Sequence, residues 1–160
     1  RLNSSRSANN GDTSTMEKMK NLSNFRFEEF LKTYTGLPNY PEFRYLPNIY
    51  ALAQWLQDVR TKLNEPIKIN SGFRTESVNT AVNGSRTSAH KQGLAADIVV
   101  RSWSKFLNIA KKKSFDQIII YLNQDKTVRF IHVGIRLDGT ERNEIWEKFY
   151  GSENVGNRIQ

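Results

Sequence analysis

The alternation of apolar and polar positions changes character several times along the chain, and each change predicts an element. From Asn24 onward, Phe27, Phe30 and Leu31 fall on one face of a short helix, and Pro38, Pro41 and Pro47 then punctuate an aromatic loop holding Tyr40, Phe43 and Tyr45. Leu52, Trp55, Leu56, Val59 and Leu63 recur at three- and four-residue steps, which predicts a helix over 47–63 with Pro47 in its first turn and a stop before Pro66. The alternation in 67–70 predicts a strand, 77–82 a short helix, and Asn83-Gly84 a turn. A β-branched run ending at Val100 predicts a strand over 96–100, followed by a helix over 102–112. Strands over 115–122 and 128–135 are separated by a turn at 123–126, which predicts an antiparallel hairpin, and 144–150 reads as a last amphipathic turn or two. The fold class expected from this order is α+β, with helices packed on one face of a small, mainly antiparallel sheet.

With 160 residues, one domain is expected, over 24–151, between a disordered tail at 1–23 and a flexible tail at 152–160. The polar, Ser- and Asn-rich stretch 1–15 opens on Arg rather than Met and reads as a vector-derived or upstream extension. Nothing in the chain has the pattern of a membrane span or a signal peptide. The absence of cysteine excludes disulfides, thiolate metal sites and a cysteine nucleophile. The net charge of +8 is scattered, its densest run being Lys111-Lys112-Lys113, so no specific nucleic-acid partner is expected. The excess charge suits either attraction to a polyanionic bacterial wall or simple solubility.

Only two histidines are present, and they set the candidate chemistry. His90 lies in SAHKQGLAAD, seven residues before Asp97, which opens the strand Ile98-Val99-Val100. His132 lies within the strand 128–135, where parity puts Phe130, His132 and Gly134 on one face and Ile131, Val133 and Ile135 in the core. Asp97, opposing Ile98, can meet His132 across adjacent strands, with His90 reaching back from its loop. Such a His/Asp/His set would leave a fourth position for water, as in catalytic zinc sites. On composition alone, two histidines read sooner as a surface residue and a satisfied strand residue.

Five segments, Ile69-Asn-Ser-Gly-Phe-Arg-Thr75, 79–84, Ser88-x-His90-x-x-Gly93-x-Ala95-x-Asp97, Phe115-Asp-Gln-Ile-Ile119 and Phe130-Ile-His-Val133, follow one another in a familiar order. Together they resemble the zinc D-Ala-D-Ala carboxypeptidase and peptidoglycan endopeptidase family, whose fold is similar to that of the hedgehog signalling domain. The resemblance implies that His90, Asp97 and His132 bind Zn2+, that Arg74 pairs with a substrate carboxylate and that Ser88 offers a hydroxyl to the substrate. It also implies a peptidoglycan stem peptide as substrate and action at the bacterial cell wall; a monomer is expected. Arg74 could instead brace the helix that follows it, and Ser88 could serve only as a cap or turn former.

The proton acceptor is where the pattern departs from that family. Arg129 stands where some members carry a glutamate three residues before the last ligand, and Tyr121 stands where others end the Asp-Gln-hydrophobic strand with glutamate. Asp116 is then the carboxylate expected to act as base, although strand parity puts it opposite Gln117 and Tyr121. Those two are expected to orient or stabilise substrate, and Asp125 in the hairpin turn is the reserve. Two functions follow: a zinc peptidase acting on peptidoglycan, or a catalytically weak wall-binding domain that keeps the zinc.

Overall fold

The computed structural model describes residues 17–152 and 156–160. The longest element, α1 (Leu46–Leu63), buries Ile49, Leu52, Leu56, Val59 and Leu63 along one stripe, as the three- and four-residue spacing requires. Pro47 sits in its first turn, and Asn64 closes it in a left-handed conformation with φ 54° just before Glu65-Pro66. Trp55 reaches past the stripe to donate its indole N–H to Ser114 O at 2.8 Å.

Six strands form one sheet: β1 (Lys68–Ser71), β2 (Ala95–Val99), β3 (Gln117–Leu122), β4 (Val128–Gly134), β5 (Glu144–Phe149) and β6 (Gly156–Arg158), in the order β1-β2-β4-β3-β5-β6. All neighbours are antiparallel except β3 and β5, which run parallel. Two shorter helices, α2 (Glu76–Ala81) and α3 (Trp103–Ala110), complete the α+β architecture expected from the sequence. Ile98, Ile118, Ile120, Ile131, Val133 and Ile145 point from the sheet into the core shared with α1 and α3. Truncating any one of these isoleucines to alanine should cost about 2–5 kcal/mol, the usual range for a buried Ile.

Three segments differ from the sequence reading. Residues 144–149 form a strand rather than an amphipathic turn, because their backbone pairs with β3 from Gln117↔Glu144 to Leu122↔Phe149. Ile145 and Trp146 suit either period, and the long-range partner decides between them. In the stretch expected to be a flexible tail, Gly156–Arg158 adds β6 to the outer edge of β5. At the other end, Met19 is buried in the core within the stretch expected to be disordered, while residues 1–16 lie outside the described residues.

Candidate metal centre

The opposite face of the sheet carries the chemistry. Asp97 on β2 is registered directly with His132 on β4, and Ile119 on β3 with the same His132, as parity required. His90 comes from a 3-10 turn, Ala89–Gln92, whose cap Ser88 accepts the His90 N–H on Oγ at 3.3 Å. Gly93 ends that turn at φ +71°, where a Cβ would stand 2.6 Å from Ile49 Cγ1. The ligand-capable atoms of His90, Asp97 and His132 lie within 4.8 Å of one another.

Outer partners aim these atoms. The Gly72 carbonyl can only accept, so His90 Nδ1, at 2.6 Å, must donate to it, which fixes the tautomer and leaves Nε2 facing the cluster. Burial lowers the His90 pKa against the raising effect of Asp97, favouring the neutral ring. For Asp97, burial pushes the pKa up but is outweighed by its two histidine neighbours, with His132 Nδ1 3.0 Å from Oδ1, so the carboxyl lies well below its usual range. Neutral His90 therefore presents a lone pair on Nε2 only 3.3 Å from the Asp97 Oδ1 acceptor, which also lies 3.0 Å from His132 Nδ1. The His132 ring nitrogen is in turn 3.3 Å from His90 Nε2. A single His132 proton cannot satisfy all three contacts. Two imidazole nitrogens and a carboxylate oxygen converging this way fit a borderline divalent cation such as zinc.

Arg74 stands behind Asp97. Its Nη2 donates to Asp97 Oδ2 at 2.8 Å, its Nε to Ser71 Oγ at 3.0 Å, and its backbone N–H to His90 O. The side chain is only 15% exposed, so its guanidinium is engaged with a carboxylate of the protein itself. Asn39, buried and not singled out by the sequence, holds the chain on both sides of Arg74: Nδ2 donates to Phe73 O and Oδ1 accepts from Thr75 N–H. A buried Asn inside a loop gives no sequence signal until its partners are known.

A cleft of about 620 Å³ opens over the cluster, and Arg74, Ser88, Gln117 and Tyr121 line it. Gln117 donates to Glu144 Oε2 at 3.2 Å. Tyr121 stacks on Phe130 with ring centroids 4.6 Å apart, and burial, reinforced by the charge of Asp97 and partly offset by Arg74, raises its pKa so that the phenol stays protonated. Asp116 also lines the cleft: it precedes β3, so strand parity does not govern it. Its Oδ1 accepts from the Arg142 backbone N–H and Nε and its Oδ2 from Arg142 Nη2, while Arg136 Nε lies 3.0 Å from Oδ1. Burial would raise the Asp116 pKa, but these hydrogen bonds and charges outweigh it and leave it lowered. Asp125 lies in the β3–β4 turn, outside the cleft lining, with Oδ1 accepting from Thr127 N–H and Oγ1.

The family model described as Peptidase M15 matches residues 18–134, from the start of the described chain to the end of β4. The chain belongs to the peptidase M15 family. A comparison with curated proteins finds no match. M15 peptidases are metal-dependent, and the His90/Asp97/His132 group is the cluster here that could bind the metal. The two arginines on Asp116, at positions 136 and 142, lie beyond the matched segment. Continuing the alternation of β4 past Gly134 would have put Arg136 on the site face. No sequence signal places Arg142 there.

Proposed function

We propose that this M15 peptidase is a zinc enzyme that hydrolyses an amide bond in the stem peptide of peptidoglycan, acting as a monomer at the bacterial cell wall. The observation that carries the reading is the convergence of three acceptor atoms, from His90, Asp97 and His132, in one cleft, with the Arg74 guanidinium on Asp97 Oδ2 and not on the Oδ1 that faces the histidines. When bound there, zinc would lower the pKa of a coordinated water toward about 7 and polarise the scissile carbonyl. Gly72 O and Arg74 hold the two ligands from β2 and its preceding turn in the orientation that leaves their lone pairs on the cleft side. Tyr121, protonated and on the face of Ile119 and Gln117, is suited to donate a hydrogen bond to the oxygen that gains charge as the carbonyl is attacked. Ser88 and Gln117 line the cleft where they can meet the substrate backbone.

Asp116 is the carboxylate of the cleft outside the ligand set, and accepting a proton would require it to shed at least one guanidinium. We therefore assign it the anchoring of the arginines and not proton transfer. Mass spectrometry of muropeptides after incubation with zinc-loaded protein tests the activity: trimmed or uncrosslinked stem peptides are expected. Tyr121→Phe, with zinc retained, should lower kcat about 10²- to 10³-fold. Asp116→Asn should act mainly on KM, whereas a base would show a 10²- to 10⁴-fold fall in kcat. The engagement of both Asp97 and Asp116 also favours a second reading, a zinc-containing wall-binding domain. Binding to purified peptidoglycan without any change in its muropeptides would select it.

A further inference from the structure

The site face of the sheet has a direction. Reading along paired positions of β3 and β4, Tyr121 faces Phe130, Ile119 faces His132, and Gln117 faces Gly134. The ligand cluster is thus in the middle. On one side lies an aromatic end, where Tyr150 meets both Tyr121 and Phe130 edge-on and Arg129 covers the Tyr150 ring at 4.2 Å. On the other side lies a guanidinium end made by Arg136 and Arg142 around Asp116, whose N–H bonds Gly134 O at 2.9 Å. Gly134 puts no side chain between His132 and that end.

We propose that Arg136 and Arg142 form the carboxylate-binding subsite of this cleft, which would make its substrate a peptide with a free C-terminal carboxylate. The proposal rests on the peptidase reading and adds to it the identity of the group that fixes the substrate. Four cationic side chains line the cleft, Arg74, Arg136, Arg142 and Lys148, against two carboxylates, Asp97 and Asp116, so an anion is favoured there. Arg74 is nearly buried on Asp97, and Lys148 lies over the Trp146 ring at 5.6 Å on the position of β5 paired with Tyr121, at the aromatic end, which leaves the arginines of the other end. Neutralising Asp116 does not account for both of them. Arg142 alone gives it a two-pronged pair plus a backbone N–H, and Arg136 Nε comes to an oxygen that already accepts twice.

Arg136 is also preorganised. Its Nη1 donates to Thr140 O and Thr140 Oγ1, both at 3.0 Å, while Nη2 has no hydrogen-bond partner among the described residues. The side chain is 36% exposed and that of Arg142 44%, enough to meet a ligand without leaving Asp116. Glu144 lies 3.5 Å from Arg142 Nη1, but it is shared with Arg158, Gln117 and Trp146 and does not line the cleft. Spacing sets the substrate length. Asp116 is level with Gly134, two residues or about 7 Å along β4 from His132, and an extended residue spans about 3.4 Å. One or two residues therefore fit between the reacting carbonyl and the arginines, which is the geometry for trimming a chain end rather than cutting mid-chain.

The test uses zinc-loaded protein with N-acetyl-L-Lys-D-Ala-D-Ala and its C-terminal amide, measuring binding by calorimetry and cleavage by mass spectrometry. The acid should bind about tenfold or more tightly than the amide, the scale of one charge-assisted pair. Arg136→Gln should abolish that preference, as should Arg142→Gln combined with Asp116→Asn, which avoids leaving a buried carboxylate alone. Arg101→Gln, which removes the same charge from an exposed site outside the cleft, should keep it. Equal binding of acid and amide, no binding of either, or a preference that survives Arg136→Gln and disappears in Arg74→Lys, overturns the subsite. A preserved acid preference with no cleavage would instead reject the peptidase reading and leave the subsite standing.

Discussion

At the scale of single residues, the cluster depends on who holds each ligand. Strand parity in the sequence put Asp97 and His132 on one face, and the β2–β4 register pairs them directly. Arg74 was legible as a functional residue but its partner was not, because Asp97 Oδ2 comes within reach through an irregular β1–β2 register, in which Ser71 and not residue 70 faces Asp97. Removing an imidazole ligand should leave the fold intact and cost most of the metal. His132→Ala is expected to stay folded by circular dichroism and to hold well under half of the parent's zinc by atomic emission. Full zinc occupancy in a His90→Ala, His132→Ala double variant would exclude this site. Arg74→Lys trades a planar fork for a point charge, so Asp97 loses its fixed orientation and zinc affinity should fall about 10- to 100-fold in a chelator competition. Unchanged affinity would mean that Arg74 does not position Asp97.

At the scale of elements, local pattern and long-range pairing divided the legibility of the fold. Helix α1 was readable because five apolar residues at helical spacing have no other use, and the β3–β4 hairpin because its strands are joined by a short turn. β5 was not, since its identity comes from parallel pairing with β3 across the whole of β4 and its loops. The segment between β1 and α2 is the element on which the centre leans most. Phe73 N–H bonds Phe30 O at 2.8 Å, and a Cβ on Gly72 would stand 2.6 Å from that same Phe30 O. Gly72→Ala must therefore move the segment off the 27–31 turn, and with it the carbonyl that fixes His90. Melting temperature and zinc affinity should fall together. A fall in the melting temperature alone would mean that the Gly72 carbonyl is dispensable for the centre.

At the scale of the whole molecule, the family match ends at Gly134, while the loop after β4, β5 and β6 add a wall to the cleft and cover the outer edge of β3. Asp116 joins the two parts: it immediately precedes β3, and its carboxylate binds Arg136 and Arg142 in the loop that leads to β5. The sign of its contribution follows from its lowered pKa. A carboxyl whose pKa is lower in the folded than in the unfolded chain stabilises the fold fully above the unfolded value, about 3.9, and loses that stabilisation as pH falls through the folded value. Asp116→Asn keeps the shape and removes the charge, so at pH 7 it should be less stable than the parent by about 1.5–3 kcal/mol, the range for hydrogen bonds to charged groups. The difference should hold down to about pH 5 and narrow below about pH 4, where the parent carboxyl takes up its proton. Urea denaturation of both proteins at pH 7, 5 and 3 measures it. Equal stability of the two proteins at pH 7 would mean that Asp116 holds the wall through shape alone, and the charge of the arginine pair would then be left for a ligand without competition from the protein.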